Sequence, residues 1–130
     1  MLINKQLLDT VSAQAKDSPR LRMNYNFHDS LDAKAQRLLN AVEPGTELVI
    51  HRHSETAEPY ILLRGALKMI FYNDEKEITD QFVLAPKNGE YGIQIPKGQW
   101  PTIEVLEKDT VIFEVKDGPY RPLGGNDVLS

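Results

Sequence analysis

The chain reads as a mainly β protein with an N-terminal helical arm, and three observations lead there. Between Asn4 and Lys16 apolar residues recur at helical spacing, from Glu47 onward the pattern changes to short β-prone runs, and turn residues separate those runs at close, regular intervals. An antiparallel sandwich or barrel is what such runs build. In the first helix Leu7, Leu8, Val11 and Ala15 share one face, and Pro19 limits it downstream. A second helix is predicted from about Asp29 to Val42: Leu31, Ala35, Leu38, Leu39 and Val42 keep the period, Asp29 or Ser30 is available as an N-cap, and Glu43-Pro44-Gly45 ends it. Strands are predicted near 47–53, 59–64, 67–72, 78–84, 92–96, 101–106 and 110–116. Arg64-Gly65-Ala66 and Asn73-Asp74-Glu75-Lys76 are short enough to read as two hairpin connections. The segment from Gly118 to Gly125 reads as irregular. The expected organisation is one domain, with a helical arm over 1–44, a β-barrel over 45–117 and an irregular tail over 118–130.

Composition narrows the function classes. The 130 residues carry 15 basic and 19 acidic side chains, for a net charge of −4, and no Cys. The missing thiols exclude Cys nucleophiles, thiolate metal sites and disulfide frameworks. No apolar run approaches the roughly 18 residues of a membrane span, and Met1 to Gln6 lacks a long apolar stretch. A soluble cytoplasmic protein without membrane association is therefore expected. A mildly acidic balance without a Lys/Arg block argues against nucleic-acid binding, leaving small molecules or protein partners. A G-x-S-x-G elbow, a P-loop, a dinucleotide-type glycine fingerprint and an H-E-x-x-H helix are all missing from the sequence.

Chemistry concentrates at His51-Arg52-His53. On a strand both imidazoles point to one face with Cα atoms about 6–7 Å apart, a separation that suits a shared metal ion. Glu58 opens the next strand and offers a carboxylate, and Tyr60 and Leu62 share its parity. Taken alone, the histidine pair is equally read as two exposed residues on a half-buried strand. The wider spacing, Gly45-x5-His51-x-His53-x4-Glu58-x6-Gly65, resembles the first motif of the cupin superfamily element for element. Pro96-Lys97-Gly98-Gln99-Trp100 resembles the turn of the second motif, but Pro101 stands where that motif carries a ligand histidine. Proline offers neither an imidazole nor a backbone N–H.

The resemblance narrows to the WbuC-type cupin-fold metalloproteins. It is carried by Arg20-Leu-Arg22-Met-Asn24-Tyr-Asn26-Phe-His28, Gln36 to Ala41, Pro44-Gly45-Thr46, the histidine pair and Phe113 to Tyr120. It implies a single cupin-like antiparallel β-barrel, the double-stranded β-helix or jelly roll, in a small bacterial protein with an N-terminal helical arm. It also implies a divalent metal (zinc, iron, nickel or manganese) on His51, His53 and Glu58, and a place in surface-polysaccharide (O-antigen) metabolism. Cupin-like proteins often form homodimers, so a homodimer is expected.

Further candidates surround that set. His28 is weighed as an acid/base or an extra metal ligand against a structural histidine, and Tyr60 is a second catalytic candidate. Arg20 and Arg22, with Asn24, are candidate ligand-binding residues, because guanidinium geometry suits phosphate or carboxylate; an exposed basic pair is the plain alternative. Trp100 and Tyr91 fall near the same region, although a lone Trp reads first as core or interface. Glu104 alternates away from Pro101, and the runs 74–77 and 107–109 read as solvated hairpin tips. The expected function is binding of a small polar, sugar-derived ligand beside the metal. As an enzyme the protein would be an isomerase or epimerase, with dioxygenation suggested by the two-His-one-carboxylate set. The competing expectation is a metal-free ligand-binding or dimerisation module whose metal site has degenerated at Pro101.

Overall fold

The computed structural model describes residues 1–48, 50–52, 57–122 and 124–129. Among the described residues one α-helix, α1 (Lys5–Asp17), precedes ten strands: β1 (Arg22–Asn26), β2 (Ala35–Val42), β3 (Ile50–His51), β4 (Glu58–Arg64), β5 (Leu67–Tyr72), β6 (Ile78–Leu84), β7 (Gly92–Ile95), β8 (Trp100–Val105), β9 (Thr110–Asp117) and β10 (Val128–Leu129). They form a five-stranded sheet in the order β1-β2-β9-β4-β7, a three-stranded sheet β6-β5-β8 and a two-stranded pair β10-β3, all antiparallel. Among the described residues the ladders thus divide into three sheets rather than one closed barrel.

The first helix forms as its spacing predicts. The Asn4 side chain caps it by accepting from the Leu7 N–H at 3.0 Å, and Leu8, Val11 and Ala15 are buried against Leu39, Ala41 and Val111. The second predicted helix is instead strand β2, so the helical arm ends with α1. The reason lies in its burial. Leu38 and Val42 face the second sheet while Leu39 and Ala41 face α1, so both sides of the strand are apolar. A strand buried on both faces loses its period-2 signal, and Leu38-Leu39 with Val42 imitates the helical period. Strand β1, between α1 and β2, had no signal in the sequence reading, and the expected irregular tail closes with β10, which pairs with β3.

From β4 onward the predicted strands form within one or two residues of their expected bounds. The first expected strand is shorter: β3 covers only Ile50–His51, with Val49 and His53 outside the described residues. Asn73 to Lys76 does make a β5–β6 hairpin, in which Asn73 Oδ1 accepts from the N–H groups of Glu75 and Glu77 at 3.0 and 2.9 Å. Arg64-Gly65-Ala66 does not make a hairpin, because β4 pairs with β7 and β9 while β5 pairs with β6 and β8. It is a corner where the chain leaves one sheet for the other. Gly65 takes φ +89° there, and a Cβ would lie 2.6 Å from the Thr110 Cα, so only glycine fits.

The core lies between the sheets. Val42, Tyr60, Leu62, Ile95 and Ile112 of the five-stranded sheet meet Leu67, Met69, Phe71, Leu84, Ile103 and Val105 of the three-stranded one. Helix α1 covers the opposite face of the larger sheet and is fastened by Arg64, whose guanidinium donates to Asp9 Oδ1 at 2.7 Å, Ser12 Oγ at 3.0 Å and the Asp109 carbonyl at 2.8 Å. Lys16 reaches Asp109 Oδ1 at 2.6 Å, and the Asp109 N–H donates to Glu43 at 2.9 Å, so this acid is a fastening point rather than a solvated tip. No helix among the described residues is long and apolar enough to cross a membrane.

Replacing Arg64 with Met removes hydrogen bonds to Ser12 and to the Asp109 carbonyl, and is expected to lower unfolding free energy by about 1–3 kcal/mol in denaturant titration. Gly65→Ala is expected to cost about 2–4 kcal/mol, read the same way, because the clash is with backbone. Lys5 and Arg64 hold the Asp9 carboxyl below its usual 3.8, and Lys16 does the same for Asp109. Folding-state pKa values below the unfolded ones mean that stabilisation is present above the unfolded value and lost as pH falls through the lowered one. An Asp9→Asn, Asp109→Asn protein should therefore be less stable than wild type at neutral pH. The gap should close on acidification below about pH 3.

Candidate functional site

The inner face of the five-stranded sheet carries a polar row set into an apolar core. Residues directly opposite in antiparallel strands share a face. The register Arg22↔Val42 and Asn24↔Asn40 on β1–β2, Asn40↔Ile112 on β2–β9, and Glu114↔Tyr60 on β9–β4 therefore puts these side chains on one face. Glu58 lies on it too, two residues before Tyr60, as the alternate burial of Glu58, Tyr60 and Leu62 shows. Exposure falls steadily across the sheet, from exposed Asn24 through half-buried Asn40 to buried Glu114, Tyr60 and Glu58. The row, or trough, thus runs from exposed at the β1 edge to buried over β9 and β4.

Its buried end is electrostatically unusual. Burial first, and then the nearby Glu114, raise the Glu58 carboxyl to about 7, while Lys116 opposes. Glu114 is also raised, first by burial, against the opposing effects of the Asn40 amide, Lys116 and the charge of His51. The Tyr60 hydroxyl is pushed well above its usual value by burial and by both acids, so it stays a neutral donor. Asn40 Nδ2 donates to Glu114 Oε1 at 3.0 Å. Asn40 Oδ1 is buried and has no hydrogen-bond partner among the described residues.

Of the residues predicted from sequence, Glu58 and Tyr60 sit at the buried end of the trough, and His51, on β3, is close enough for its charge to act on Glu114. His53 lies outside the described residues. Arg22 and Asn24 lie on the same face at the open end, and Arg20 precedes them. His28 is placed otherwise. Its Nδ1 lies 3.1 Å from both the backbone nitrogen and the carbonyl oxygen of Arg37, which ties the imidazole to the β1–β2 connection. Trp100 is buried, donates Nε1–H to Asp74 Oδ1 at 2.7 Å and carries the Arg52 guanidinium 4.3 Å above its ring; Asp74 is thereby engaged rather than merely solvated. Tyr91 is exposed, and Pro101 is buried opposite Phe71 with Glu104 turned outward, as alternation predicted.

Sequence reasoning missed Glu114 and Asn40. Glu114 had a readable signal, an acid at the same parity as Ile112 in an otherwise apolar strand, whereas Asn40 fell in the segment misread as a helix. For a divalent metal the test is one of donor chemistry. Among the described residues no three His, Asp or Glu side chains form a metal-holding group. The donor types are those of a first-row divalent ion, with the His51 imidazole near Glu114 and the Glu58 carboxyl on the same sheet face as Glu114. The donor types fit, with His53 as the undescribed member of the predicted set.

Comparison with solved structures places this geometry in a known fold. The chain is similar to the capsular polysaccharide assembling protein CapF from Staphylococcus aureus (20% identity, TM-score 0.62, 76% of this chain and 27% of that one). It is likewise similar to the Cnp3 cupin domain of Schizosaccharomyces pombe (9%, 0.59, 74% and 60%). A third likeness is to a putative sugar phosphate isomerase from Acidithiobacillus ferrooxidans (21%, 0.59, 75% and 59%). The aligned part thus spans little more than a quarter of the CapF chain and about three-fifths of the other two. At these identities the likeness is one of fold, and the fold is that of cupin proteins. No curated protein matches the chain. A family match over residues 3–84 takes in α1 and every strand through β6, more than half of the 130 residues, and by it the chain belongs to the family described as Domain of unknown function (DUF6016).

Proposed function

We propose that this protein is a cupin jelly-roll metalloprotein of the WbuC type that binds a small polar, sugar-derived ligand in the inner-face trough. The proposed metal ligands are His51, His53 and Glu58. The observation that carries the reading is the meeting of Glu58, Tyr60 and Glu114 at the buried end of a polar row in an otherwise apolar core. Buried ionisable groups shifted from their usual values and clustered on one face are a mark of a functional site. The surface-polysaccharide setting is supported by the likeness to CapF, described as assembling capsular polysaccharide, and the sugar-derived ligand by the likeness to a putative sugar phosphate isomerase.

In this reading each side chain has a distinct task. His51, His53 and Glu58 hold the divalent ion, which when bound polarises a carbonyl or hydroxyl oxygen of the ligand. Tyr60, a neutral phenol, donates a hydrogen bond to a ligand oxygen. Glu114, oriented by Asn40, takes or returns a proton on the same face, the proton movement that isomerisation or epimerisation requires. Asn24 and Asn40 bind hydroxyls along the trough, and the surrounding apolar residues exclude water. Pro101 leaves the motif one histidine short, which favours an ion with open positions for ligand oxygen.

Calorimetric titration of chelator-treated protein with zinc, manganese and nickel tests the reading. Wild type is expected to bind one equivalent of at least one of these ions. His51→Ala, His53→Ala protein, with unchanged circular dichroism, is expected to bind it at least about tenfold more weakly. Equal binding by the two proteins would show that the histidine pair does not hold the ion, and binding by neither would leave a metal-free ligand-binding module; either result overturns the proposed metal centre.

A further inference from the structure

We infer that the ligand of the trough is an anionic polyol, a small hydroxylated molecule bearing a phosphate or a carboxylate, and that Arg22 with Arg20 receives its charged group at the β1 edge. The inference rests on the preceding assignment of the trough as the ligand site. Its starting point is an imbalance of charge. In a chain of net charge −4, Lys5, Lys16, Arg64, Lys68 and Lys87 are each engaged with a carboxylate. Among the described residues Arg20 and Arg22, like several other cations, have no carboxylate within ion-pair distance, and these two lie together at the β1 edge. Arg22 is half-buried, and burial followed by the neighbouring charge of Arg20 disfavours its cationic form. Two guanidiniums held near one another, one of them partly desolvated, form an arrangement that a bound anion stabilises.

The backbone fixes this pair in place. The Thr46 hydroxyl donates to the Arg20 carbonyl at 2.8 Å, and the Glu43 N–H donates to the Leu21 carbonyl at 2.9 Å. Arg22 opposes Val42 on the inner face, and the next inner-face pair along the ladder is Asn24↔Asn40, about 7 Å further on. That step is of the order of one sugar ring. The anionic group thus meets planar, forked donors at one end, and the hydroxyls meet amides that both donate and accept. Asn40 Oδ1, buried without a partner among the described residues, is an acceptor owed a donor at the point where a ligand hydroxyl would arrive. Glu114 closes the far end. A neutral sugar would leave the arginines unanswered, and an anion without hydroxyls would leave the amides unanswered.

The test is titration of the full chain with glucose 6-phosphate, glucuronate and glucose, with and without added zinc, followed by calorimetry and amide chemical shifts. Wild type is expected to bind at least one anionic probe about tenfold or more tightly than glucose, with affinity falling as salt rises. Preference for glucose 6-phosphate identifies a phosphate, and preference for glucuronate a carboxylate. Arg22→Gln is expected to lose about tenfold for the preferred anion and to leave glucose unchanged, while Arg22→Lys retains part of the difference. Equal affinity for all three probes, or an Arg22→Gln protein that is folded and binds like wild type, overturns the anion assignment and leaves the trough as a ligand site. Binding of none of the three overturns both, and the metal titration then shows separately whether the metal centre stands.

Discussion

The middle of the five-stranded sheet, where β2 lies beside β9, is buried on both faces, and most of what distinguishes this protein follows from that constraint. Its outer face is sealed by α1 through Leu8, Val11 and Ala15, and its inner face is sealed by the second sheet through Met69, Phe71 and Ile103. A carboxyl placed on the middle strands has no route to bulk water and must find its compensation inside. Glu58 and Glu114 are placed there, which is why burial, ahead of any neighbouring charge, raises both. The same sealing leaves β1, at the sheet edge, as the place where the inner face meets solvent, and Asn24 and Asn26 are exposed there.

The helix–sheet contact shows how charge serves packing in this molecule. Arg64 sits at the corner where the chain changes sheets, and from that one position its guanidinium reaches the helix at Asp9 and Ser12 and the β9 approach at the Asp109 carbonyl. Exposed ion pairs contribute little by themselves. What gives this one its value is that the same fork satisfies a backbone carbonyl and a serine hydroxyl that the packing has taken from water.

The alternating half of the chain was legible in the sequence, and the doubly buried half was not. Strands β4 to β9 kept short runs and turn residues, so their places were read within one or two residues, and the inward set Glu58, Tyr60 and Leu62 followed from parity. Strand β2 failed because apolar residues on both faces erase the period, and its Leu38-Leu39 pair mimics a helix. The corner at Gly65 failed because a tight turn between consecutive strands looks alike whether they pair or part; the difference lies with Thr110, 45 residues away. For the site, the ligand residues predicted near the histidine pair were local in sequence. The Asn40–Glu114 contact joins positions 74 apart and depends on the β2–β9 register, which no local pattern states.

The pairing of β10 with β3 has its own consequence for the site. The backbone of His51 pairs with Val128 in a ladder two residues long, and the neighbouring Arg52 N–H donates to the Asp127 carbonyl at 3.0 Å. Glu114, by contrast, sits within the eight-residue β9, and Glu58 opens the seven-residue β4. So short a clasp opens at a small fraction of the cost of unfolding the domain. The last strand is thereby joined directly to the strand that carries His51, so changes at the carboxy-terminal end of the chain are transmitted to β3.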